Sequence, residues 1–140
     1  MRRSFYVVAV LVVGLGAFAY WWASSPGTGS KPQSLDRTPT SIDVSVMDRP
    51  LTTITNAAGI ASVMKMLRSG RGVPRHECKS RGTMVLHFTD AQPLSVGFHP
   101  GHHFLRYEFA TRGGFYAVSR YQFFGALKGA GVDVRKIPRG

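Results

Sequence analysis

Cysteine is nearly missing from this 140-residue chain: Cys78 stands alone. A single thiol excludes an intramolecular disulfide, a CxxC zinc or redox motif and covalent haem attachment. The fold must therefore be held by its core. Acidic side chains are also scarce, 7 against 18 Lys and Arg, which leaves a formal net charge of +11. The nucleophile elbow G-x-S-x-G, the metalloprotease H-E-x-x-H and the phosphate loop G-x-x-x-x-G-K-[ST] are absent, as are internal repeats.

Charge is missing altogether from residues 4–30. Within that stretch, 5–23 ("FYVVAVLVVGLGAFAYWWA") is almost wholly apolar. At ~1.5 Å per residue a helix of this length reaches roughly 28 Å, about the hydrocarbon thickness of a bilayer. Arg2 and Arg3 precede the run and Tyr20, Trp21 and Trp22 close it, the flanks of a span whose N-terminus stays in the cytoplasm. The sequence thus predicts a cytoplasmic N-terminus at 1–3 and a transmembrane signal-anchor at 4–23. The domain beyond it would lie outside the cell or in the periplasm. The rival expectation is a signal peptide cut after Ala17-Phe18-Ala19, which would release the domain. No cysteine follows the run, so a lipoprotein anchor is excluded.

Residues 24–40 ("SSPGTGSKPQSLDRTPT") offer little to bury and read as a flexible linker. Residues 41–140 carry the periodicities of one α+β domain. "IDVSVMD" alternates as a half-buried strand, with a turn expected at "RPL" and a second strand at "LTTI". Thr55 or Asn56 suits the cap of a helix bearing the stripe Ile60, Val63, Met64 and Leu67, with Gly70 as its stop. Strands follow at 83–89, 94–98, 102–110 and 115–119, then a helix over 120–130 capped by Ser119, with Phe123, Phe124 and Leu127 inward. The expected order is β(β)αβββ(β)α: an antiparallel sheet of four to six strands with two helices on one face. "VDVRKI" is expected as a short strand or extended tail.

Two stretches suggest function. The irregular segment 69–82 holds Arg71, Arg75, Lys79 and Arg81 against Glu77 alone, a surface for an anionic ligand. Lipid head groups, a cell-envelope polymer or a membrane protein are the expected partners, since the predicted topology keeps intracellular nucleic acid out of reach. The second stretch is "GFHPGHHFLRYEF", 97–109, with three of the five histidines around Pro100-Gly101. A type II turn at Pro-Gly would place His99 opposite His102, and Val96 opposite Leu105. Leu94, Val96, Phe98, Leu105 and Tyr107 would then share a core face with His103 at its end, while His99 and His102 share the polar face. With His76 or Cys78 from the basic segment, these two would supply a zinc or copper site. The simpler expectation is that they are polar residues at a hairpin tip, with no cofactor. Cys78 as a thiol nucleophile is a third reading, weakened by the lack of an orienting partner. The sequence therefore points first to a non-enzymatic, membrane-tethered binding module.

Overall fold

A computed structural model describes residues 30–75, 79–99, 104–110 and 114–139. The predicted anchor at 4–23, with residues 1–3 and 24–29, lies outside them. Among the described residues no helix is long and apolar enough to cross a membrane.

The described chain runs β1 (Ser41–Val46), β2 (Arg49–Ile54), α1 (Ala57–Ser69), β3 (Arg71–Val73), β4 (Gly82–His87), β5 (Leu94–His99), β6 (Phe104–Phe109), β7 (Phe115–Ser119) and α2 (Arg120–Gly129). Short 3-10 turns occupy Gln33–Asp36 and Val134–Lys136. The seven strands form one antiparallel sheet in the order β2-β1-β4-β5-β6-β7-β3. The α+β class and the two helices are as expected, but the sheet has one strand more than the upper expectation. The extra strand is β3, whose sequence Arg-Gly-Val is too short to show a period; it adds to the far edge beside β7.

Alternation decides the faces. Ile42, Val44, Met84, Leu86, Val96, Phe98, Leu105 and Tyr107 are each buried to 1% exposure or less. Both helices lie on that face. Tyr107 donates its hydroxyl to the carbonyl of Leu67 in α1, and Phe98 packs its ring on Phe123 of α2 at 5.1 Å. The stripe Ile60, Val63, Met64 and Leu67 is fully inward, as are Phe123 and Leu127. Phe124 is only half-buried, set edge-on against Phe123. Asn56 caps α1 through Gly59 N–H, and Ser119 with Gln122 forms a capping box on α2.

Both hairpin registers differ from expectation by an even number of residues. Val96 faces Phe109 rather than Leu105, and Met84 faces Val96 rather than Phe98. An even slip leaves every side chain on its face, so the core list is correct although the rungs are not. Arg106, not His102, stands opposite His99, so the pairing expected from a two-residue Pro-Gly turn is not the one formed; Pro100 and Gly101 themselves lie outside the described residues.

The turn between β1 and β2 is formed by Met47 and Asp48, both with positive φ (49° and 61°), rather than by "RPL". Left-handed backbone at both centres is what a two-residue hairpin needs, but the usual Asn-Gly signal is absent. The "VDVRKI" segment forms the last 3-10 turn rather than a strand, and Ile137 is buried.

The domain also starts earlier than residue 41. Leu35, in the stretch expected to be flexible, is 2% exposed and joins the core. Its carbonyl accepts from Nε of Arg68 at 2.8 Å, and Lys31 Nζ donates to the carbonyl of Arg68. The single apolar residue in a polar run carries too little periodicity to announce this.

Candidate functional site

The four cations Arg71, Arg75, Lys79 and Arg81 do not form one patch. Arg71 lies on β3 at the sheet edge, with Arg75 two residues beyond that strand. Arg81 extends β4 by donating its N–H to Phe98 O. β3 and β4 are four strand positions apart, roughly 19 Å. Pairing instead aligns Arg71, Ala117, Arg106 and His99 in one row across four neighbouring strands. This row lies on the sheet face away from the helices.

His99 itself is buried, at 3% exposure. Its Nε2 lies 3.4 Å from Glu108 Oε1 and its ring 6.0 Å from that of Phe115. Its Nδ1 has no hydrogen-bond partner among the described residues. The other expected ligands, His76, Cys78 and His102, lie outside the described residues, as does His103. Among the described residues no three His, Cys, Asp or Glu side chains gather as a metal site would require. His87, expected apart from the cluster, indeed stands elsewhere. Its Nε2 lies 2.8 Å from Asp43 Oδ2, and Thr53 donates to Asp43 Oδ1 at 2.6 Å. The Thr53 hydrogen bond, followed by that of His87, holds the Asp43 carboxyl below its usual range.

A second concentration of positive charge lies on the helix side of the molecule. α1, α2 and the segment after α2 bound an open groove of about 1410 Å³. Ser62, Lys65, Met66 and Ser69 form one wall, spaced i, i+3, i+4 and i+7 along one side of α1, where the buried Met66 borders the core. The other walls bring Arg120, Lys128, Arg135 and Arg139, with Tyr121 and Gln122. The lining holds one carboxylate, Asp133, and Arg135 occupies it through Nε at 2.9 Å and Nη2 at 3.2 Å. That hydrogen bonding lowers the Asp133 pKa and raises that of Arg135. Among the described residues, Lys65, Arg120, Lys128 and Arg139 are thus left without a carboxylate in the groove. Arg120 donates to the carbonyl of Arg139, whose guanidinium stands 5.7 Å from the Phe124 ring centre. Tyr121 is 89% exposed.

Sequence reasoning missed this groove because its cations come from three separated segments. None forms a charge run, and the inward stripe of α1 drew attention away from its groove-lining side. Compared with known proteins, the chain matches no family model, no curated protein and no solved structure.

Proposed function

We propose that this chain is a non-enzymatic binding module, tethered at an extracytoplasmic membrane surface by residues 4–23, that holds an anionic partner in the groove between its helices. The observation that carries this reading is the charge balance of the groove: five Lys or Arg around one carboxylate that is already paired. Such a site attracts polyanions at long range and loses them as salt rises. The test has two parts. Alkaline carbonate washing of membranes should leave the full chain in the pellet, and its release would sink the tether. Retention on an immobilised polyanion should fall steeply with salt and fall further in Lys65→Ala with Lys128→Ala. Retention indifferent to both would sink the groove.

A metal-binding reading keeps one specific support, the buried His99, whose Nδ1 has no hydrogen-bond partner among the described residues. It requires near-stoichiometric zinc or copper in the gently purified full chain, and a blank elemental analysis would remove it.

A further inference from the structure

We infer that the groove is a membrane-docking site, and that its anionic partner is the phosphate of lipid head groups in the bilayer that anchors the chain. This rests on the tether proposed above. Three observations converge on it.

The first is where the tether joins the domain. Lys31 and Leu35 are held by Arg68, in the last turn of α1. The adjacent Ser69 lines the groove, with Lys65 one turn earlier. Only residues 24–30 separate the apolar run from Lys31. Seven residues fully extended reach at most roughly 25 Å, and a flexible chain of that length averages roughly 15 Å. The groove wall is therefore kept within about two to three screening lengths of the head groups, each about 8 Å at physiological salt. Contact becomes an intramolecular event, so weak individual affinities suffice.

The second is the lining. Lys65, Arg120, Lys128 and Arg139 give several cations of the kind that hold phosphate, with the one carboxylate neutralised. The third is Tyr121, among these cations and almost fully exposed. An exposed tyrosine beside Lys and Arg suits the interfacial zone of a bilayer, its ring apolar and its hydroxyl polar. The opposite sheet face fits worse: it carries Asp43 and Glu108, each within hydrogen-bonding distance of a histidine.

The experiment reconstitutes the full chain, carrying Cys78→Ser, into vesicles of phosphatidylcholine alone or of an equal mixture with phosphatidylglycerol. A fluorophore is placed at Gly125→Cys in the groove, where an added Cβ meets nothing within 4 Å. A control label goes at Thr53→Cys on the exposed edge of the other face. The Gly125 label should be shielded from an aqueous quencher in the anionic vesicles only, and the Thr53 label in neither. Lys65→Glu with Lys128→Glu should abolish the shielding, each lost cation weakening lipid contact roughly fivefold. Equal quenching in both lipids overturns the inference, as does shielding that survives the double charge reversal. Shielding in phosphatidylcholine vesicles on adding polyphosphate, without shielding by phosphatidylglycerol, assigns the groove to a soluble polyanion and also overturns it. A carbonate wash separates the two proposals. A chain that stays in the membrane with an unshielded Gly125 label refutes docking alone, whereas a chain that washes off refutes the tether and docking with it.

Discussion

Replacing Gly70 by alanine puts two physical accounts of this glycine in opposition. Gly70 ends α1 at φ −59° and ψ 141°, a conformation open to any residue. If backbone freedom were its only role, alanine would stabilise the domain by about 0.4–1 kcal/mol through the unfolded chain. The structure gives a different reason. A Cβ there would lie 1.9 Å from Tyr107 Oη and 2.7 Å from its Cζ. Tyr107 is fully buried, and its hydroxyl donates to Leu67 O at 2.5 Å. The ring cannot withdraw without losing that bond and disturbing its contacts with Phe109 and Tyr116. Overpacking contributes about 1–3 kcal/mol. A buried hydroxyl and a helix carbonyl left unpaired add about 1–3 kcal/mol. Gly70→Ala should therefore cost about 3–5 kcal/mol in urea unfolding, a large share of the ~5–15 kcal/mol typical of a domain. Tyr107→Phe should cost about 1–2 kcal/mol. The double variant should lose less than the sum, because removing the hydroxyl removes the nearest clash. A stability change of Gly70→Ala below about 1 kcal/mol would refute the steric account.

Three further outcomes follow from the same geometry. Burial, helped by the neighbouring Tyr116, raises the Tyr107 pKa, so this phenol stays neutral in the folded protein after it would ionise in the unfolded one. Its contribution is complete below about pH 10 and is lost as pH rises further through the folded value; Tyr107→Phe should flatten that alkaline limb of a stability–pH curve. Asp43 behaves with the opposite sign. Its lowered pKa adds stability above about pH 4 that fades as pH falls, and Asp43→Asn should remove this slope at a cost under about 1 kcal/mol, since the pair is half exposed. Leu35→Ala should lower unfolding stability by about 2–4 kcal/mol, a loss that a mobile linker residue would not show.

What was legible in the sequence was what repeats. The stripe Ile60-Val63-Met64-Leu67 and the alternation along β1, β4, β5 and β6 name the buried face correctly. They do so even where the expected rungs are wrong, because a slip of two or four residues cannot exchange faces. Features without a period were hidden. β3 has three residues, the Met47–Asp48 turn lacks turn-forming glycine, and Leu35 is one apolar side chain in a polar run. The basic groove was hidden for another reason: charge clustering in space needs no clustering in sequence when two helices and a tail converge. His99 shows the converse. Its place on the polar face was legible, its burial was not, because burial depends on Phe115 and Glu108 from the later strands.

Both edges of the sheet are blunted. β2 carries Pro50 and a bulge against β1, and β3 stops after three residues at Pro74. Both edge strands also come from the first half of the domain, clasping the β4–β7 meander from its two sides. This has a consequence for the order of folding. With only the first half of the chain available, β1 and β2 can close into a hairpin, but α1 has no platform to lie on. β3 must wait for β7, which follows it in the chain after three intervening strands. Pairings so distant along the chain are slow to form. The first half of the domain thus stays open until β7 is in place, and the clasp is the step that closes the sheet.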